Sequence, residues 1–160
     1  MTEAQLSNAM DAYGSTVYRL ALTRMQNIAD AEDVYQEVFL RLWKQAAEDW
    51  DGDRAKAWLI RTTLNRCADL HRFRLRRPVL SFAEIPDLAQ PEDESRELWE
   101  AVSRLPEKAR TAVHLYYAEG YSAEEISQLM HIPAATVRTR LHRARKQLKE
   151  LLGGIDDETC

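Results

Sequence analysis

Glycine, proline and cysteine are all scarce in this chain, and each scarcity argues against a class of structure. The 160 residues include five glycines, five prolines and two cysteines. So few turn-forming residues, beside long stretches rich in Ala, Leu, Glu, Arg and Gln, argue against an antiparallel sheet and favour helices. Cys67 and Cys160 are too few and too far apart for a disulfide framework. The sequence therefore predicts an all-α fold with reduced thiols.

Long apolar runs and enzyme motifs are missing as well. No segment approaches the roughly 18 consecutive apolar residues of a membrane span, and the N-terminus lacks the features of a signal peptide. We expect a cytoplasmic protein without membrane insertion. There is no P-loop, Rossmann fingerprint or H-E-x-x-H motif, and Cys67 with His71 lacks a second pair of metal ligands. We therefore expect no enzyme, no metal and no cofactor.

The net charge of -4 hides a change of sign along the chain. Residues 1–77 carry 12 basic and 11 acidic groups, residues 78–97 carry 1 and 6, and residues 98–152 carry 9 and 6. An acidic total argues against nucleic-acid binding, whereas the local clusters of arginine argue for it. The regional charges, rather than the total, are what a binding partner would meet.

The acidic stretch contains Pro78, Pro86 and Pro91. Because proline fixes φ and lacks an amide donor, no helix is expected to run through it. The sequence predicts two small helical domains, at 1–77 and 92–152. A flexible acidic linker at 78–91 joins them, and an acidic tail follows at 153–160.

The first domain shows helical spacing over 3–26, 30–45 and about 53–76, with Asp30 as the expected N-cap of the second helix. One arc of that second helix is apolar and forms the expected core face: Ala31, Val34, Tyr35, Val38, Phe39 and Leu42. The opposite arc places Leu40 among polar residues: Asp30, Asp33, Gln36, Glu37, Arg41 and Lys44. Leu40 is either an ordinary exposed leucine or the centre of a docking face for a basic partner helix.

The third helix of this domain interleaves aromatic and basic residues. Trp50, Trp58 and Phe73 are either core residues or platforms that stack on unpaired bases.

The second domain has the pattern of a helix-turn-helix. Two helices, Leu98–Leu105 and Lys108–Ala118, are separated at Pro106. Ser122 and Glu125 then form a capping box that opens a short helix. A break at His131-Ile132-Pro133 precedes a long basic helix over Ala134–Leu152.

The last helix has two distinct faces. Its core arc is expected to contain Val137, Leu141, Ala144, Leu148, Leu151 and Leu152. The neighbouring arc has no acidic residue in the helical projection and contains Arg138, Thr139, His142, Arg143, Arg145 and Lys146. A merely solvated face usually mixes charges, so this pattern favours entry into the major groove.

In order and spacing, these segments resemble an RNA polymerase sigma factor of the extracytoplasmic-function group of the sigma-70 family. Residues 30–43 (DAEDVYQEVFLRLW) are similar to that family's region 2.2, and Ala57–Arg61 with Asn65 are similar to regions 2.3 to 2.4. Residues 105–110, 121–126 and 136–145 resemble region 4. The resemblance covers nearly the whole chain.

The resemblance implies three binding surfaces. Asp33, Gln36, Glu37 and Leu40 would dock on the clamp helices of the polymerase β′ subunit. The minus-ten element would be captured as a single strand through Arg61, Asn65, Asp69 and Arg72. Region 4 would contact the β flap and read the minus-thirty-five element through Arg138, Thr139, His142 and Arg143, with Arg140, Arg145 and Lys146 near phosphates. The family also implies an anti-sigma factor as a partner.

Two alternatives stay open from the residues alone. A stand-alone helix-turn-helix regulator would bind duplex DNA without polymerase, but it leaves the Leu40 arc without a role. A helical adaptor that does not bind DNA would use both amphipathic faces, but it does not explain the basic arc.

Overall fold

The computed structural model describes residues 1–45, 52–73 and 96–153, and every element in these ranges is helical. The chain divides into two compact units, Met1–Ala89 and Gln90–Cys160. The prediction of an all-α protein with two small helical domains is thus confirmed. The predicted linker at 78–91, and the predicted tail beyond residue 153, lie outside the described residues.

The first unit is built from three helices: α1 (Glu3–Met25), α2 (Ile28–Lys44) and α3 (Gly52–Phe73). Each helix contacts the other two and contributes an apolar stripe to one core. The predicted arc of α2 is part of this core, with Tyr35 only partly buried. Trp58 packs against the core, whereas Trp50 and the side chain of Phe73 lie outside the described residues.

The start of α2 differs from the prediction. Asn27, not Asp30, is the N-cap, and its Oδ1 accepts a hydrogen bond from the Asp30 amide at 3.0 Å. Asp30 lies in the first turn and is 1% exposed, so it does not belong to the polar surface of α2. Periodicity alone did not locate this boundary because Asn27 and Asp30 are both good capping residues, and the left-handed Gln26 that ends α1 fixes the choice.

Two long-range hydrogen bonds join the helices of the first unit. The Tyr13 hydroxyl donates to the Gly52 carbonyl at 3.1 Å, and the His71 Nε2 lies 3.2 Å from the Arg24 carbonyl. An aromatic cluster fills the space between α1 and α2, where Tyr35 meets Tyr18 edge-on and Phe39 at a tilt. The unit is therefore stabilised by apolar burial and by polar ties at its margin.

The second unit contains α4 (Arg96–Ser103), α5 (Glu107–Val113), α6 (Ala123–Met130) and α7 (Ala134–Leu151). The predicted capping box is confirmed. The Glu125 amide donates to Ser122 Oγ at 3.1 Å, and the Ser122 amide donates to Glu125 Oε1 at 3.0 Å. His131 ends α6 in the left-handed conformation with φ of 55°, which produces the predicted break before α7.

The helix that begins with α5 widens into a π-helical turn over His114–Ala118, where the sequence predicted a regular helix. The Glu119 amide donates to the His114 carbonyl at 3.2 Å, one residue further back than in an α-helix. The His114 and Glu119 side chains are buried beside each other, and Trp99 meets the His114 ring edge-on. Propensities do not distinguish this turn from an α-helix, so tertiary packing determines it.

Leu151 corrects the predicted core arc of α7. It is 40% exposed, whereas Val137, Leu141, Ala144 and Leu148 are buried. Leu151 is the last residue of α7. Among the described residues, no helix is both long and apolar enough to cross a membrane.

The Tyr18 hydroxyl generates a prediction about stability, because it is buried and has no hydrogen-bond partner among the described residues. We expect Tyr18→Phe to raise the free energy of unfolding by about 1 kcal/mol, since the substitution removes an unsatisfied polar group. Tyr13→Phe is the matched control and should lower it by about 0.5 kcal/mol, because its hydroxyl is bonded to Gly52. Urea unfolding measures both, and a destabilised Tyr18→Phe would contradict the assignment.

The same hydroxyl predicts a pH dependence. Burial, and secondarily the charge of Glu32, raise the pKa of Tyr18 above its ordinary value of 10.0. The raised pKa of Tyr18 makes the free energy of unfolding depend on pH. This free energy is at its full value below pH 10 and falls as the pH rises through the folded-state pKa, because the tyrosine of the unfolded chain ionises first. Wild type should therefore lose stability faster than Tyr18→Phe above pH 10.

Candidate functional surfaces

The exposed side of α2 combines acidic, amide and apolar groups. Asp33, Gln36 and Leu40 are exposed at spacings of three to four residues, which places them on one helix face. Glu37 is partly buried, and its Oε1 accepts from Arg41 Nε at 3.1 Å. The structure thus brings the four predicted residues together, with Glu37 held by its own helix.

Trp43 is a member of this surface that the sequence analysis did not select. It is 38% exposed and follows Leu40, which is 47% exposed, by three residues. A spacing of three residues from an exposed leucine was the available signal, but an aromatic residue at helical spacing is more often part of a core. We name Asp33, Gln36, Glu37, Leu40 and Trp43 the Leu40 surface. It offers apolar area beside carboxylates, which suits a partner helix carrying basic and apolar groups.

The predicted residues of α3 form a narrow stripe. Arg61, Asn65 and Arg72 are exposed and Asp69 is partly exposed, at successive spacings of four, four and three residues. Arg72 Nη1 lies 4.0 Å from Asp69 Oδ1. We name these four residues the Asn65 stripe. Two arginines and an amide on one helix face can contact phosphates and base edges.

Buried residues of α3 lie behind the stripe. Thr62 and Thr63 are buried, and their hydroxyls donate to the carbonyls of Trp58 and Leu59 at 2.7 Å. Cys67 is fully buried on the same side. It is thus not available as a surface ligand. The described residues contain no group of three or more His, Cys, Asp or Glu that could hold a metal ion.

The basic side of α7 is exposed as predicted. Five exposed residues form what we name the α7 basic face: Arg138, Thr139, His142, Arg143 and Lys146. The Thr139 hydroxyl donates to the Ala135 carbonyl at 3.0 Å, so its methyl group and oxygen lone pairs remain for a base. Arg140 is partly buried beside this face.

The face is not free of acidic groups once the chain is folded. Glu124, in the first turn of α6, accepts a hydrogen bond from Arg138 through an Nη1–Oε1 contact of 2.9 Å. A helical projection of α7 alone contains no sign of this contact because the two residues belong to different helices. The folded arrangement therefore adds one carboxylate to an otherwise basic face.

Arg145 is partly buried and is held within the unit. Its Nε donates to the Tyr117 hydroxyl at 2.7 Å, and its guanidinium carbon lies 5.8 Å from the ring centroids of both Tyr116 and Tyr117. The π-helical turn supplies both rings. The Nη atoms of Arg145 remain available to bind a phosphate. The hydrogen bond to Tyr117 was not predictable from the sequence, because the two residues are 28 positions apart.

Comparisons with known proteins give a separate family match for each part of the chain. Residues 9–77 match the family model described as Sigma-70 region 2, and residues 95–148 match the model described as Sigma-70, region 4. The first match contains the Leu40 surface and the Asn65 stripe, and the second contains the α7 basic face.

Several sigma factors are similar over most of this chain. The ECF RNA polymerase sigma factor SigM of Bacillus subtilis is 32% identical over 155 residues, which cover 91% of this chain and 94% of SigM. SigE of Mycolicibacterium smegmatis is 34% identical over 92% of this chain, and the match spans 62% of SigE.

Solved structures show the same fold. The sigma factor RpoE of Bartonella quintana, in complex with the anti-sigma factor NepR, has a TM-score of 0.73 at 23% identity, over 96% of this chain and 98% of RpoE. CnrH, in complex with the cytosolic domain of CnrY, has a TM-score of 0.67 at 26% identity, over 97% of this chain and 92% of CnrH.

The tie between Arg145 and Tyr117 generates a prediction that separates it from the α7 basic face. We expect Arg145→Ala to lower the free energy of unfolding of the second unit by about 1–2 kcal/mol, through the lost hydrogen bond and cation–π contacts. Arg143→Ala, at an exposed position, should change it by less than about 0.5 kcal/mol. Urea unfolding with hydrogen exchange of the α7 amides measures the difference. Equal losses in the two variants would contradict a structural role for Arg145.

Proposed function

The chain belongs to the extracytoplasmic-function group of the sigma-70 family of RNA polymerase sigma factors, and from this we propose that it binds core RNA polymerase and directs it to specific promoters. In this role it is an alternative sigma factor and not an enzyme. It acts in the cytoplasm, where core polymerase and promoter DNA are found. Residues 1–77 serve as region 2, residues 92–152 as region 4, and residues 78–91 as the connection between them.

The observation that carries the proposal is the exposed Leu40 at the centre of a polar helix face. Leu40 is half-exposed beside Trp43, and it is not part of the buried core of the first unit. A regulator acting on duplex DNA alone would not need this face. Docking on the clamp helices of the β′ subunit gives it a function.

The Asn65 stripe supports capture of the minus-ten element. A sigma factor opens DNA without hydrolysing ATP, so binding of unstacked bases must offset the few kcal/mol that unstacking costs. The stripe supplies an amide for base edges and arginines for the strand's phosphates, on a helix whose other side is fixed in the core. Arg61 and Asn65 form the N-terminal half of the stripe, and Asp69 and Arg72 form its C-terminal half.

The α7 basic face supports recognition of the minus-thirty-five element. The exposed arginines can each donate two hydrogen bonds to guanine, and Thr139 can contact a base edge or a thymine methyl. In this proposal Arg140, Arg145 and Lys146 would bind the phosphates that flank the helix in the major groove. His142 is less selective than arginine, which leaves the base preference at its position to experiment.

An anti-sigma factor is a further expected partner. RpoE and CnrH, which share this fold, were each solved with such a protein or with the cytosolic domain of a second protein. The exposed apolar groups of the Leu40 surface are suitable for competition between an inhibitor and polymerase.

Run-off transcription with purified core polymerase on a promoter library tests the proposal. We expect wild type to initiate from a defined motif, and Leu40→Asp to reduce initiation on every promoter by more than about tenfold, because a buried, unpaired carboxylate opposes docking. Ala12→Asp, at an exposed position of α1, is the matched control and should retain activity. If the protein shifts duplex DNA alone but gives core polymerase no promoter specificity, the stand-alone regulator is correct instead. If neither result is obtained, the helical adaptor that does not bind DNA is the correct alternative.

A second prediction concerns promoter opening. Asn65→Ala should slow the rise of 2-aminopurine fluorescence at the minus-ten element by about tenfold while leaving upstream duplex binding within about twofold, because the lost contacts belong to the single strand. Arg143→Ala should show the reverse pattern. If the Asn65→Ala variant opens promoters at the wild-type rate, the Asn65 stripe does not take part in promoter opening.

A further inference from the structure

A carboxylate of α6 reaches the α7 basic face at one point. Glu124 and Arg138 are 14 residues apart in sequence, and their Oε1 and Nη1 atoms are 2.9 Å apart. Both side chains are largely exposed, at 68% and 58%. The contact therefore joins two successive helices of the helix-turn-helix at the surface that would meet DNA.

The start of α6 does not require Glu124 to point towards Arg138. The capping box is completed by Ser122 and Glu125, so the helix end is already satisfied. A glutamate in the first turn interacts favourably with the helix dipole whichever way its side chain points. The direction of Glu124 thus calls for a separate explanation.

An exposed ion pair contributes little to stability, so its value lies in the orientation it gives to Arg138. Arginine has a long, flexible side chain, and ordering it at the moment of binding costs entropy. With Nη1 engaged by Glu124, the Nε and Nη2 atoms donate no hydrogen bond to a described residue. These two atoms form an edge with parallel donors, which matches the O6 and N7 acceptors of guanine.

We propose that Glu124 is a positioning residue that holds Arg138 in the orientation needed to read one base of the upstream promoter element. The inference rests on the proposed function of α7. The carboxylate also repels the DNA backbone, which lowers the affinity of region 4 for DNA without the motif. One residue therefore strengthens recognition of the correct base and weakens binding elsewhere.

The test uses holoenzyme assembled from core polymerase and the full chain. Arg138→Ala first identifies the base pair whose preference it relaxes, within the motif that wild type selects from a library. Affinities are then measured for promoters carrying each of the four base pairs at that position, and for a duplex without the motif. The proteins compared are wild type, Glu124→Ala, Glu124→Gln and Glu150→Gln, an exposed glutamate of α7 that controls for loss of one charge from the same unit.

We expect Glu124→Ala to reduce discrimination at that base pair by about five- to tenfold, within the range of one two-bond base contact. Discrimination at the other positions should stay within about twofold. Glu124→Gln keeps an acceptor for Arg138 and should lose less than about threefold. Both variants should bind the duplex without the motif about two- to threefold more tightly at low salt. Glu150→Gln should not alter discrimination.

Two results would overturn the inference. One is a Glu124→Ala effect spread equally over all positions of the motif. The other is an equal effect of Glu124→Ala in the Arg138→Ala background, because a residue that acts through Arg138 has nothing left to position. A wild-type holoenzyme that selects no motif would instead refute the proposed function itself.

Discussion

The apolar stripe of each helix determines where every functional group of this protein lies. In α2, α3 and α7, the residues proposed to contact other molecules stand on the side opposite a row of buried residues. Because side chains on a helix have fixed angular positions, burying one row sets the direction of all the others. Core packing within each unit thus holds Leu40, Asn65 and Arg143 in place. A cavity or a shifted register in either core would misdirect a whole surface at once.

The charges explain how a chain with a net charge of -4 can bind DNA. Screening limits an exposed charge to about 8–10 Å at physiological salt, so DNA meets the groups of α7 rather than the total. The basic residues of α7 outnumber its acidic residues, whereas the exposed side of α2 has charges of both signs around Leu40. A basic face on one unit and a mixed face with an exposed leucine on the other are suited to a nucleic acid and to a protein, respectively.

The sequence predicted the helices, the capping box, the break before α7 and the exposed faces, because all of these depend on local spacing. It failed where two local signals were equivalent, as with Asn27 and Asp30 before α2, or where a helix end limits burial, as at Leu151. It was also unable to predict contacts between distant residues. The Glu124–Arg138 pair and the hold of Tyr117 on Arg145 depend on tertiary packing, which no helical projection contains. Trp43 was missed for a statistical reason, since most aromatic residues at helical spacing are buried.

The π-helical turn at His114–Ala118 makes the length of this segment as important as its composition. A π turn accommodates one more residue than an α turn, so deletion of a single residue there would allow an ordinary helix to form. The widened turn that presents Tyr116 and Tyr117 to Arg145 would then be lost, and with it the hydrogen bond that holds Arg145 within the unit. A change of length in this segment is therefore less tolerable than most substitutions within it, although the chain remains helical either way.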